Sequence, residues 1–175
     1  MIEEQVILVD QNDNELGQMG KLEVHQKGLL HRAFSIFIFN EKGQLLIHQR
    51  AEGKYHCPGL WTNTCCSHPR PGESVQEAAE RRLQEEMGFS TRISPMFNFV
   101  YHANVGGGLV EHELDHVFIG RYEGEVRPNE IEVGAFKYVD IDDLVIDVKQ
   151  NAKHYTPWFK VCLPQVIEVM ERWAA

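Results

Sequence analysis

The tightest constraint on the fold is the stretch SVQEAAERRLQEEMG, residues 74–88. Ser74 followed by Glu77 makes a capping box, and Gly88 supplies a C-terminal stop, so the spacing predicts a helix over residues 74–87. On a wheel of about 100° per residue, Val75, Ala78, Ala79 and Leu83 gather in one arc, which has to be covered by another layer. Arg82 and Glu86 fall inside that arc, one turn apart. Either they pair with each other, in the less favourable order for such a pair, or Glu86 meets a cation and Arg82 an anion. The second reading makes this helix a wall of a charged site.

The covering layer is legible as strands. Residues 5–9 (QVILV), 33–39 (AFSIFIF) and 44–49 (QLLIHQ) read as strands, the last two joined by the hairpin signal NEKG. Residues 59–66 are expected to be extended. Residues 97–102 and 110–122 read as strands around a glycine turn at 106–108, and 136–139 as a short one. Asp140 is expected to cap a brief helix over 141–145. Thr156-Pro157 opens a last helix whose stripe runs through Phe159, Cys162, Leu163, Val166, Ile167, Met170 and Trp173, with Pro164 expected to kink or break it. No repeat or linker divides the chain, so residues 1–175 are read as one domain of α+β class, an α-β-α sandwich with a mixed sheet.

The formal net charge of −9 excludes a general nucleic-acid binder, which needs basic surface, so any cationic site must be local. No stretch approaches the ~20 apolar residues of a membrane-spanning helix. The N-terminus, MIEEQVILVDQND, has no basic region before an apolar run and is not a signal peptide. A cytoplasmic protein with reduced thiols is expected, a monomer or a homodimer.

That compartment bears on WTNTCCSHP, residues 61–69, where two of the four cysteines stand side by side. Adjacent cysteines pair only under strain, and no C-x-x-C pair is present to hold zinc. Cys65 and Cys162 are expected in the core, as small hydrophobes. Cys66 is either a buried inert thiol or a reactive one. Elsewhere, Glu111 and Glu113 lie two apart on a predicted strand, so both carboxylates leave one face. Imidazoles with carboxylates suit a divalent ion.

The helix and its approach, Ser67-x5-Glu73-x7-Arg81-Arg82-Leu83-x-Glu85-Glu86-x-Gly88-Phe89, resemble the Nudix box, G-x5-E-x7-R-E-U-x-E-E-x-G-U, with U a bulky apolar residue. Ser67 stands where glycine is usual, and Arg82 replaces the first glutamate of the helical part. In the hydrolases that glutamate commonly serves metal binding or base chemistry. The departures and the flanking motifs are similar to the type 1 isopentenyl diphosphate isomerases. Those motifs are Lys21 with His25 and His31, Ala33-Phe34-Ser35, Gln49-Arg50-Ala51-x-x-Lys54, Pro58-Gly59-x-Trp61-Thr62-Asn63, Cys66-x-His68-Pro69, Tyr101, Glu111-x-Glu113 and Thr156-Pro157-Trp158. The likeness runs in one order from about residue 5 to 160.

The resemblance implies a Nudix-like fold and the interconversion of isopentenyl and dimethylallyl diphosphate, a step of isoprenoid biosynthesis that passes through a tertiary carbocation. It implies Cys66 and Glu113 as proton-handling groups on opposite faces of the substrate, with Tyr101 steadying or relaying a proton. It implies a site for Mn²⁺, Mg²⁺ or Zn²⁺ at His25, His31, His68, Glu111 and Glu113. Glu86 is implied to hold a Mg²⁺ that bridges to the diphosphate. Lys21, Arg50, Lys54 and Arg82 are implied around that diphosphate, and Trp158 in the hydrocarbon pocket. The segment carrying His25 and His31 is expected to be mobile and to close the site. The remaining histidines, His56 among them, gain no role.

Overall fold

The computed structural model describes residues 4–174, with side chains through residue 172. The ends of the expected 1–175 span, and the side chain of Trp173, lie outside the described residues. The strands are β1 (Gln5–Val9), β2 (Glu15–Gly20), β3 (His31–Phe39), β4 (Leu45–Arg50), β5 (Trp61–Thr62), β6 (Cys65–Ser67), β7 (Ile93–Gly106), β8 (Leu109–Arg121) and β9 (Val133–Val139). The helices are α1 (Lys21–Lys27), α2 (Val75–Met87), α3 (Ile141–Gln150) and α4 (Pro157–Ala174).

Alternation along β3 explains the layers. Phe34, Ile36 and Ile38 pack with Ala78, Ala79, Leu83 and Met87 of α2. Phe37 and Phe39 point the other way, into a cluster with Leu144 of α3 and Phe159, Cys162, Leu163 and Val166 of α4. A strand buried on both faces reads as a continuous apolar run rather than an alternating one, as AFSIFIF does. The result is the expected α-β-α sandwich on a mixed sheet.

β3 is the hub of that sheet. One edge runs parallel to β8, with His31 opposite Glu113 and Ser35 opposite Val117. Its antiparallel partners are β1 at His31, β6 at Phe34 to Ile36 and β4 at Ile38 and Phe39. β7 then pairs antiparallel to β8, with Tyr101 opposite Glu113 and Ala103 opposite Glu111. The β7–β8 hairpin turns at Gly106, Gly107 and Gly108, all at positive φ, which side chains with a Cβ resist.

The predicted helix 74–87 is present with its capping box, closed by Gly88 at φ 75°. A Cβ on Gly88 would sit 2.1 Å from the carbonyl oxygen of Arg127, so the stop is steric as well as conformational. Strand 97–102 extends to Ile93–Gly106; β7 is an edge strand, where Pro95 is tolerated. The helix after Asp140 reaches Gln150, and the Asp140 carboxylate accepts from Gln44 rather than capping.

Of the two outcomes expected at Pro164, the break does not occur: α4 runs on to Ala174. Pro164 is on the exposed face, where water can serve the carbonyl it frees, while Cys162, Leu163 and Val166 anchor the buried face. His25 belongs to α1 and His31 opens the central strand, and both are fully buried.

Candidate active site

The register of three strands assembles the centre. Glu113 on β8 has His31 on one side and Tyr101 on the other, because β3 and β7 flank it at that level. The Tyr101 hydroxyl donates to Glu113 Oε2 at 2.5 Å. His68, just past β6, lies with Nε2 2.8 Å from Glu113 Oε1. Glu111, Glu113 and Asp115 are all buried, at period two along β8.

His25, His31, His68 and Glu113 present ligand atoms all within 4.8 Å of one another. Whether this set suits a cation follows from the hydrogens. His25 Nδ1 lies 2.5 Å from the Lys21 carbonyl and His31 Nδ1 2.9 Å from the Leu29 carbonyl. A carbonyl only accepts, so each Nδ1 carries a hydrogen and each ring turns Nε2 inward, where the neutral form offers a lone pair. There the lone pairs meet more acceptors. His31 Nε2 is 3.2 Å from His68 Nε2 and 3.4 Å from Glu113 Oε1, and His25 Nε2 is 3.2 Å from Glu111 Oε2. Acceptors converging in a buried space require protons or a metal between them, and the set fits a divalent ion.

The charges agree. Burial holds His68 down at about 4, overriding the pull of Glu113, so its ring is neutral. Burial would raise Glu113, but His31 and His68 outweigh it and hold the carboxyl well below the usual range. Glu111, expected as a fifth ligand, stands beside the four rather than among them, between His25 and His56.

Beside this centre opens a cavity. Cys66, Tyr101, Glu111, Glu113, His68 and Trp158 line it, together with Lys21, Arg50, Lys54, Arg82 and Glu86. Every predicted site residue is therefore here except His25 and His31, which form the buried metal cluster with two of the lining residues. The paired cysteines are resolved by strand alternation: Cys65 packs under α2, whereas Cys66 opposes Ser35 and faces the cavity. All four cysteines are free. Burial pushes the Cys66 thiol up; Arg50 pulls against it, and Glu86, Glu113 and Asp115 add to it, so sulfur stays protonated.

The cations of the cavity are mostly occupied by carboxylates. Lys21 pairs with Glu4 at 3.0 Å, Lys54 with Glu132, and Arg82 with Glu85 at 2.9 Å, with Glu132 at 3.3 Å and with Glu86. Both readings of the helix arc thus hold in part: Arg82 and Glu86 do pair, and they do so at a cavity. Arg50 differs. Among the described residues it has no carboxylate partner; its guanidinium lies over the Trp158 ring at 5.4 Å and donates to the His56 carbonyl at 3.2 Å. Arg50 Nε, Arg82 Nε and Trp158 Nε1 are buried donors without a protein acceptor among the described residues, which suits an anionic ligand.

Sequence reasoning missed Glu4, Tyr55, His56, Ser67 and Glu132 as lining residues. Ser67 had a signal, its place between Cys66 and His68. Glu4, Tyr55, His56 and Glu132 lie in segments with no periodicity, and only chain return brings them to the cavity.

Residues 29–159 match the NUDIX domain family. The chain is 49% identical over 166 residues to isopentenyl-diphosphate Delta-isomerase 2 of Aromatoleum aromaticum, covering 95% of this chain and 88% of that one. It is 48% identical over 174 residues to the isopentenyl-diphosphate Delta-isomerase of Serratia proteamaculans, covering 99% and 97%. Among solved structures it is similar to a protein from Deinococcus radiodurans, with a TM-score of 0.71 at 18% identity over 85% of this chain and 90% of that one. A MutT NUDIX hydrolase from Burkholderia pseudomallei gives 0.63 at 21% identity, over 78% and 98%. At such identities these two show the fold alone. Near-half identity over almost the full length is a different matter: the chain belongs to the isopentenyl-diphosphate Delta-isomerase family of NUDIX-domain proteins.

Proposed function

We infer that this chain interconverts isopentenyl diphosphate and dimethylallyl diphosphate, with Cys66 and Glu113 as its proton-handling pair. One observation carries the reading. Cys66 and the Tyr101–Glu113 pair line the same cavity as Lys21, Arg50, Lys54 and Arg82. A short hydrocarbon with a diphosphate tail spans those two sets.

The substrate double bond is unactivated, so a proton must reach its terminal carbon before another leaves the neighbouring methylene. Between the two transfers the charge rests on the tertiary carbon. One group of the pair donates and the other receives, and their roles exchange with the direction of reaction. Cys66 is suited to donate as a protonated thiol and Glu113 to receive as a carboxylate. Tyr101, held on Glu113 Oε2, fixes that carboxyl and can pass it a proton. Trp158, buried and carrying Arg50 on its ring, offers an aromatic wall that favours positive charge and keeps water off.

His25, His31, His68 and Glu113, with Glu111 beside them, would hold Mn²⁺, Mg²⁺ or Zn²⁺, and Glu86 a Mg²⁺ at the diphosphate; such ions supply fixed positive charge that tunes neighbouring acids and neutralises phosphate oxygens. Arg50 and Arg82 supply forked donors to those oxygens, and Lys21 and Lys54 point charges. Four free thiols suit a reducing compartment, the cytoplasm. No helix among the described residues is long and apolar enough to cross a membrane.

Turnover of isopentenyl diphosphate in deuterated water tests the reading. Dimethylallyl diphosphate carrying deuterium is expected. Release of monophosphate or phosphate without isomerisation would replace it with hydrolysis.

A further inference from the structure

His56 has no role in the chemistry above, yet it is placed like a residue that has one. It lies in the loop between β4 and β5 and is 8% exposed. Its Nε2 is 2.7 Å from Glu111 Oε1, while the other oxygen of the same carboxylate is 3.2 Å from His25 Nε2. The His25 and His56 rings stack at 5.7 Å, and the His56 ring lies 6.1 Å from that of Trp158. His25 and His31 each spend Nδ1 on a backbone carbonyl. His56 Nδ1 is buried with no partner among the described residues, so the Glu111 bond is what fixes its ring.

We propose that His56 is the positioning residue of Glu111. Its Nε2–H holds one carboxylate oxygen, which turns the other toward His25 and the edge of the metal cluster. This rests on the reading of that cluster as a metal site. A glutamate side chain left free loses about 1.5–2 kcal/mol of rotamer freedom when ordered. A partner that orders it beforehand removes that cost from metal binding, and partners of this kind typically change metal affinity about 10–100-fold. The contact of His56 with Arg50 is through its backbone carbonyl and survives side-chain substitution, so the two contacts can be separated.

The test is Mn²⁺ binding by chelator-stripped protein without substrate, followed by electron paramagnetic resonance, with circular dichroism as the control for folding. His56→Ala should weaken Mn²⁺ binding about 10–100-fold. His56→Gln, whose amide N–H can reach the place of Nε2, should stay within about threefold of wild type. In a Glu111→Gln background His56→Ala should add nothing. At saturating metal, kcat and KM for the diphosphate should both return to wild-type values, the loss appearing only as a higher metal requirement. Unchanged Mn²⁺ affinity in His56→Ala, or equal losses in the Ala and Gln variants, overturns the proposal. If His56→Ala does not fold, His56→Phe, which keeps a ring but has no N–H for Glu111, takes its place and should lose the same Mn²⁺ affinity; wild-type affinity there overturns the proposal. Should His68→Ala also leave Mn²⁺ binding untouched, the cluster itself has been misread, a distinct failure.

Discussion

At the strand end of the cavity, imidazole nitrogens and carboxylate oxygens face one another, with no Lys or Arg ion pair to Glu111 or Glu113 among the described residues, whereas at the helix end nearly every cation already has a carboxylate. Both ends are buried or half-buried and both are charged. At the strand end, the backbone register of β3 and β8 fixes His31 beside Glu113, and β7 brings Tyr101 to the same level, so that part of the centre cannot easily relax away. The helix end is set by long side chains that can change partners. The first is therefore preorganised for an added cation, and the second is built for exchange. Under the proposed function, a diphosphate there would take Arg82 and Lys54 from their carboxylates and release Glu86.

The sharpest way to break this comparison is at the point where the two ends meet. Cys66→Ala should lower isomerisation about 10²–10⁴-fold, the usual range for a lost general acid or base. Melting temperature and Mn²⁺ affinity should stay at wild-type values, because Cys66 is not among the four clustered ligands. Retained turnover would remove the thiol from the chemistry.

Next in size is the strand end. If it is waiting for a cation, removing metal with a chelator should lower thermal stability, and Mn²⁺ should restore it. At about 100 times the dissociation constant the bound ion contributes about 2.7 kcal/mol. His68→Ala should abolish the response. A melting curve indifferent to chelator and metal would mean that protons, not an ion, satisfy the inward lone pairs.

At the helix end the informative residue is Glu132, which holds both Lys54 and Arg82. If the carboxylate competes with the diphosphate, Glu132→Gln should bind inorganic pyrophosphate about tenfold more tightly without Mg²⁺, a gain of about 1.4 kcal/mol by calorimetry. Weaker binding would make Glu132 a scaffold for the two cations. The pH dependence is a second readout. Burial would raise the Glu132 carboxyl, but Lys54 and Arg82 outweigh it and hold it at about 2 against an ordinary 4.5. A depressed carboxyl contributes stability that is complete above its unfolded value and is lost as pH falls through the folded one. Wild type should lose stability between about 4.5 and 2, and Glu132→Gln should lack that component.

The same contrast marks what the sequence could reveal. The long strands and the capped helix were legible because burial imposes a period and caps impose residue types. α1 and β2 were not. Of Lys21–Lys27 only Val24 and His25 are buried, and Glu15–Gly20 is largely exposed, so neither carries an apolar pattern. The metal residues were legible through an ordered set of motifs, not through spacing, because parallel pairing of β3 with β8 joins His31 to Glu113 across 82 residues of chain. His56 and Glu132 had neither signal. The loop after β4 folds back through Lys54 N–H to the Ala51 carbonyl and Gly59 N–H to the Arg50 carbonyl, and only that return sets His56 over Glu111.

The smallest effect expected on catalysis belongs to the neighbour of the largest. Cys65 and Cys66 are consecutive on β6, so their side chains leave opposite faces of the sheet. Cys65 is fully buried among Ala78, Ala79 and Leu83 of the α2 layer, and its thiol does not line the cavity. Cys65→Ala removes one buried atom and should cost about 1 kcal/mol of stability, in the range of other small core truncations. Turnover at 25 °C should stay within about twofold, since general acid–base catalysis needs a group within hydrogen-bond reach of the reacting carbon. Measuring kcat/KM and the denaturation midpoint for both variants separates the faces: the midpoint should move only for Cys65→Ala and the rate only for Cys66→Ala. A catalytic loss at Cys65 comparable to that at Cys66 would mean that the register of β6 against β3 is shifted by one residue, which would turn every side chain of that strand to the other face.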